Sequence, residues 1–291
     1  MRTEESPQSP AVHEAVAVPP HAVGAPLKAA VSGGGGDSTV PPHRVGRLGG
    51  GVDSTSRKLA WPDCRNTRDL GGLPNGGGVT RSGLIVRSDN VSYLTPDGVM
   101  AMWNFGVTHV IDLRSESEVA KFPSPFAAPD YGPEYLHRPL VDDALAPDLA
   151  EVPSMSDRYL MMLERRQTGL GDIFKAMAQV DGPVVFHCYA GKDRTGLVAA
   201  MVLSLAGVHS DAIAADYAET DVHLADRYVE WLAATPPERL DAMRDELRCP
   251  PEWILGALDH LDHRWGGVEP YLLAGGVEPT EIDRLKEKLT S

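Results

Sequence analysis

The run Pro183-Val184-Val185-Phe186 leads directly into His187-Cys188-Tyr189-Ala190-Gly191-Lys192-Asp193-Arg194-Thr195-Gly196, and a nearly unbroken apolar stretch continues to Val208. A short β-branched and aromatic run without alternation is the pattern of a central parallel strand buried on both faces. The apolar stretch from Gly196 to Val208 has thirteen residues, too few for the ~18 of a membrane-spanning helix, and reads as a buried helix. A buried strand, a tight glycine-containing turn and a buried helix in immediate succession demand a layered α/β architecture.

The flanking sequence repeats that alternation. Gly83 to Arg87 is predicted as a strand, and Thr95-Pro96-Asp97 opens a helix with a capping hydroxyl and a proline at the first helical position, ending near Gly106. Val107 to Leu113 and Tyr135 to Val141 are predicted strands ending in acidic residues, with helices at Asp157–Arg166 and Gly171–Val180. From Asp211 to Leu289 the pattern is helical throughout, broken by Pro236-Pro237, Pro250-Pro251, Gly266-Gly267 and Gly275-Gly276. The expected fold is a mostly parallel central sheet flanked by helices, with extra helices at the C-terminus.

Residues 1–58 are set apart, with nine glycines, seven prolines and no aromatic residue. Such a segment buries too little apolar surface to offset chain entropy and is expected to be a disordered tail before one domain at 59–291. The tail carries a net charge of +1 against −14 for the whole chain, so the acidity belongs to the domain. An acidic domain is not expected to hold nucleic acid, whose phosphates require clustered Lys and Arg. Two acids near the N-terminus and no apolar segment after them argue against a secretion signal, and three cysteines, Cys64, Cys188 and Cys249, cannot complete a disulfide framework. A cytoplasmic protein without membrane attachment is expected.

Five residues separate Cys188 from Arg194. A turn of that length between a strand and a helix N-terminus points successive backbone N–H groups, and the positive end of the helix, at one place. A phosphate group fits there, and the same field favours thiolate over thiol at Cys188. Arg194 is suited to grip two phosphoryl oxygens at once, with Tyr189, Ala190, Gly191, Lys192, Asp193 and Thr195 as the remaining lining of the anion site. Cys188 alone would be read as an ordinary buried cysteine; the complete string in a strand–loop–helix setting is far more specific.

With its Lys-Asp before the arginine, the loop resembles that of the bacterial tyrosine-phosphatase-like family. The likeness extends to Asn66-Thr67-Arg68-Asp69-Leu70-Gly71-Gly72, where Thr67 stands in place of a frequent aromatic residue, and to Val86-Arg87-Ser88-Asp89 and Val110-Ile111-Asp112-Leu113-Arg114-Ser115. Tyr271-Leu272-Leu273, Gly276 and Glu281-Ile282-Asp283 are similar to the family's C-terminal end. The resemblance implies a tyrosine-phosphatase-like fold and hydrolysis of a phosphomonoester, without metal or other cofactor, through a phosphocysteine at Cys188. It also implies a general acid just past a strand, in a stretch similar to Leu136–Asp142, which designates Asp142; Asp143 and Asp112 are the rivals.

Thr195 is placed either to bond the departing thiolate or to cap the helix, and Lys192 and Asp193 either to contact substrate or to form a surface ion pair. His187 is a candidate to orient the loop. Arg68, Arg87 and Arg114 are expected at a basic rim or in ion pairs with Asp69, Asp89 or Glu118. His260 and His263 share a helix face with no third ligand at metal-binding spacing. The substrate is expected to be a phosphorylated protein or a small phosphomonoester; a phosphate-binding protein without activity and a sulfur-transfer or arsenate-reducing enzyme are the other readings.

Overall fold

The computed structural model describes residues 57–128 and 132–290, so the expected tail lies outside the described residues except for Arg57 and Lys58. Those two already belong to the fold, Lys58 by bridging to Arg68 and Arg57 through its ion pair with Asp216. In chain order the elements are β1 (Arg68–Asp69), β2 (Pro74–Asn75), β3 (Gly78–Val79), β4 (Ile85–Ser88), α1 (Pro96–Phe105), β5 (His109–Asp112), α2 (Glu116–Lys121) and β6 (Glu134–His137). There follow α3 (Ala146–Ala150), α4 (Met155–Arg165), α5 (Gln167–Gln179), β7 (Val184–His187) and α6 (Asp193–Leu205). The C-terminal helices are α7 (Ser210–His223), α8 (Ala225–Ala234), α9 (Leu240–Leu247), α10 (Pro251–Trp265), α11 (Val268–Ala274) and α12 (Pro279–Thr290).

The main sheet runs β1-β4-β7-β5-β6, with β4, β7, β5 and β6 mutually parallel and β1 antiparallel at one edge. This is the expected mostly parallel sheet, and β7 is its middle strand. Successive residues of the central strands face opposite layers, as strand geometry requires. Ile85, Ile111, Val184 and Phe186 enter a large core shared with α4 to α6 and α10 to α12, whereas Val86, Val110 and Val185 meet Trp61, Val99 and Met102 on the other face. Both faces being covered, the strands read as continuous apolar runs, and each fully buried Phe or Ile contributes about 2–3 kcal/mol by leaving water.

Local signals set the boundaries. Thr95 caps α1 by accepting a hydrogen bond from the Gly98 amide, and Gly106 ends the helix at φ +90°, a conformation that favours glycine. β6 stops at His137, earlier than the expected Val141, since Pro139 has no N–H to continue the ladder. α6 begins at Asp193, three residues before the apolar stretch, with Lys192 at the cap position and no side-chain cap. Among the described residues no helix is long and apolar enough to cross a membrane.

Candidate active site

The carboxyl ends of the parallel strands converge where ligands bind in open α/β sheets. Cys188 follows β7, and its loop turns into the N-terminus of α6. The carbonyls of that loop all face away from the turn's centre. Cys188 O accepts from His187 Nδ1 at 3.0 Å, Tyr189 O from the Asn90 amide at 3.0 Å, and Ala190 O from Asn66 Nδ2 at 3.0 Å. Gly191 O accepts from Asn66 Nδ2 at 3.0 Å and from Arg87 Nη2 at 2.7 Å. In a trans peptide the N–H points opposite to the C=O, so the amides of residues 189–192 are turned toward the inside of the loop. Gly191 sits at φ +67°, where a Cβ would come within 2.5 Å of Ser88 O; no other residue fits at this turn without distortion.

Cys188 and Arg194 line one cavity of about 380 Å³ with Tyr189, Ala190, Lys192 and Asp193. Arg194 is clamped by Glu118, with Nη2 donating to Oε1 at 2.8 Å and Nη1 to Oε2. Glu118 is itself fixed by a capping box, in which its Oε2 accepts from the Ser115 amide while Ser115 caps α2. Burial opposes charge on both partners. The pair outweighs that effect, holding the Arg194 guanidinium above its ordinary range and the Glu118 carboxyl below its own. Thr195 lies inside the first turn rather than at the cap, and its buried hydroxyl has no partner among the described residues.

Lys192 lines the cavity but is buried, and its ammonium is engaged within the protein, in a partly buried ion pair with Asp193 and on backbone carbonyls. Its ammonium donates to Glu246 O at 2.6 Å and Arg248 O at 3.1 Å, lies 3.0 Å from Asp193 Oδ1, and sits over the Trp253 ring. Three N–H donors thus meet three acceptors, tying the loop to the end of α9. Asp193 Oδ1 also accepts from Tyr159 Oη at 2.6 Å, and Tyr159 is hydrogen-bonded to Tyr217 at 2.7 Å. His187 orients the loop through the bond to Cys188 O. Burial pushes its imidazole down to about 4 despite Asp112 nearby, so the ring is neutral near pH 7.

The expected acids are placed otherwise. Asp142 does not line the cavity; it accepts from the Leu145 amide at 2.9 Å and from Arg166 Nη1 at 2.5 Å. Asp143 is exposed and binds the amide and hydroxyl of Ser117. Asp112 is fully buried, held by Arg114 Nε and Nη2 and by Tyr135 Oη at 2.8 Å. The basic rim is a correction. Arg68, Arg87 and Arg114 are all buried, and their carboxylate partners are Asp216, Asp112 and, for Arg68 at 3.6 Å, Glu219, rather than Asp69, Asp89 or Glu118. A buried guanidinium needs a buried anion, and Asp216 on α7 supplies one that sequence reading did not find. Thr67 is buried against Ser88, its hydroxyl 2.6 Å away. His260 and His263 bond Glu164 and a backbone carbonyl, and no cluster suited to a metal occurs among the described residues.

The outer cavity is mostly apolar. Leu149, Met155 and Met162 come from α3 and α4, and Trp231, Met243 and Leu247 from α8 and α9. The helices after the loop therefore form a wall of the site. Tyr189 stacks on Trp231 at 6.1 Å between ring centroids, and its hydroxyl lies 3.2 Å from that of Tyr93.

The profile of the tyrosine phosphatase family matches residues 59–291. The chain belongs to that family. A tyrosine-protein phosphatase of Nostoc commune is 34% identical over 218 residues, covering 70% of this chain and 73% of that protein. The triple specificity protein phosphatase PtpB of Mycobacterium tuberculosis is 26% identical over 275 residues, covering 77% of this chain and 96% of that protein. As a phosphatase of this family, the chain carries the string from His187 to Gly196 between its middle strand and the helix that follows.

Proposed function

We propose that this phosphatase hydrolyses phosphomonoesters in two steps through a phosphocysteine at Cys188. The observation that carries the reading is the convergence of Cys188, Arg194 and the first turn of α6 on one cavity, with inward-turned amides between them. In step one the thiolate attacks phosphorus, the bond to the leaving oxygen breaks, and an acid protonates that oxygen. In step two water attacks the phosphocysteine, gives its proton to the same carboxylate, and releases phosphate as the S–P bond breaks. Thr195 donates to the thiolate as it departs, a role supported by its otherwise unclaimed buried hydroxyl.

Asp193 is the acid in this reading, in place of the expected Asp142. Among the cavity-lining carboxylates Glu118 is committed to Arg194 and Glu246 faces Arg158 at 3.4 Å, whereas Asp193, at the edge of the anion site, meets Tyr159 and Lys192 through Oδ1 alone. Asp193→Asn is expected to slow alkyl and unsubstituted phenyl phosphates by about 10²–10⁴-fold and p-nitrophenyl phosphate far less, since a good leaving group needs little protonation. A leaving-group-selective loss in Asp142→Asn instead would return the role to Asp142.

The apolar and aromatic wall supports an aryl phosphate, phosphotyrosine on a peptide, as the preferred substrate, in keeping with the names of the relatives. Three free cysteines support a reducing compartment such as the cytoplasm. The test is kcat/KM, with a chelator present, for phosphotyrosine peptides against nucleotides, sugar phosphates and phosphoinositides. Phosphotyrosine is expected to lead. A hundredfold preference for one metabolite, ~3 kcal/mol in transition-state binding, would overturn the substrate assignment.

A further inference from the structure

A phosphate-binding turn works only if its peptide units are oriented, and orientation has to be enforced from the carbonyl side. Two of the four loop carbonyls, those of Ala190 and Gly191, are held by side chains distant in sequence: Asn66 Nδ2 bonds both and Arg87 Nη2 bonds the second. Neither donor stands alone. Asn66 Oδ1 accepts from Arg68 Nη1 at 2.5 Å, and Arg68 Nε donates to Asp216 Oδ1 at 3.0 Å. Arg87 Nη1 donates to the other oxygen of the same carboxylate at 2.6 Å. Asp216 is thus the common root of two arms that end on adjacent carbonyls of the loop. It is also gripped by Arg57 at 2.6 Å, and Arg68 Nη2 bonds its backbone carbonyl at 2.7 Å.

We infer that Asn66 and Arg87, anchored by Asp216, are positioning residues that set the anion-binding amides of Gly191 and Lys192. This rests on the reading of the Cys188 loop as a phosphate site. All four side chains of the two arms, Asn66, Arg68, Arg87 and Asp216, are at most 1% exposed, so they touch no substrate and act only through the backbone they hold. Without the Asn66 amide, the buried Gly191 carbonyl and the partly buried Ala190 carbonyl lose a donor, and the peptide units can rotate toward other partners. Rotation would withdraw N–H groups from the position of a phosphoryl oxygen. In that reading the same amides also face the Cys188 sulfur, which makes its alkylation a second readout. Asp216→Asn would release both arms together.

The experiment uses the full chain carrying Asn66→Ala, Arg87→Lys or Asp216→Asn, with Met102→Ala, a core truncation on the other face of the sheet, as the control for lost stability. Three quantities are measured well below each Tm: inhibition by inorganic phosphate, the pH midpoint for alkylation of Cys188 by iodoacetamide, and kcat on an aryl phosphate. In Asn66→Ala the phosphate inhibition constant is expected to rise at least about tenfold, the midpoint to move to higher pH, and kcat to fall by about 10², the scale of an ångström-level misplacement. Arg87→Lys keeps the charge but reaches only one of its two partners, so it should show the same changes in smaller measure. Met102→Ala should lower Tm and leave phosphate inhibition and the midpoint within twofold. If Asp216→Asn does not fold, Asn66→Ala and Arg87→Lys decide the matter. Folded Asn66→Ala with unchanged phosphate inhibition and midpoint overturns the inference. Wild-type protein that shows neither phosphate-protected alkylation nor turnover overturns the reading of the loop itself, and the inference with it.

Discussion

Cys188→Ser is expected to reduce turnover by at least about 10⁴-fold, the scale seen when a covalent nucleophile is removed, while inorganic phosphate still binds. The two outcomes separate because two different parts of the loop produce them. Turnover needs an ionised sulfur, and a serine hydroxyl in the same field remains protonated and a poor nucleophile. Binding needs the amides and Arg194, none of which the substitution touches. Cys188 is itself 2% exposed at the end of β7, and loss of one sulfur for one oxygen leaves the surrounding packing intact. Calorimetric titration with phosphate, beside a turnover assay, checks both halves. Serine protein that turns over normally would exclude the covalent route.

Arg194→Lys is expected to cost about 10²–10³ in kcat/KM, comparable to losing an oriented oxyanion donor. Lysine keeps the charge and can still meet Glu118, so the fold should survive, but a point charge cannot present two parallel N–H donors to a phosphoryl group. The clamp makes the geometry strict: Glu118 holds both terminal nitrogens of Arg194 and is held in turn by the Ser115 amide. Glu118→Gln should therefore lower activity less than Arg194→Lys and more than a neutral surface change. Full activity in a folded Arg194→Lys protein would assign the guanidinium to structure alone.

Features encoded locally were legible in the sequence. The Cys188 loop declared itself through its own string and through the strand and helix on either side, and α1 through Thr95, Pro96 and Gly106 at its ends. Pairings between elements were not. Glu118 and Arg194 are 76 residues apart, and Arg87 and Asp216 are 129 apart; no periodicity or spacing connects such partners. Three arginines close to strand ends looked like a rim because a strand end is a common place for polar groups, whereas Asp216 and Asp112 bury them beneath the loop. The Ser115–Glu118 capping signature was readable, and it would have tied Glu118 to the start of α2, but not to Arg194. Asp142 illustrates the same limit: its position past β6 was anticipated, and its commitment to Arg166 was not. Lys192, two residues before Arg194 in a phosphate loop, invited a role toward the anion, yet its ammonium holds two carbonyls at the end of α9 and pairs with Asp193.

The two-step route proposed for this site depends on a covalent intermediate. Wild-type enzyme mixed with a ³²P-labelled aryl phosphate and quenched in acid within milliseconds should carry label in a peptide containing Cys188, appearing before free phosphate and decaying at the rate of turnover. Release of phosphate in a single turnover with no labelled protein, or label on any other residue, would contradict the phosphocysteine route.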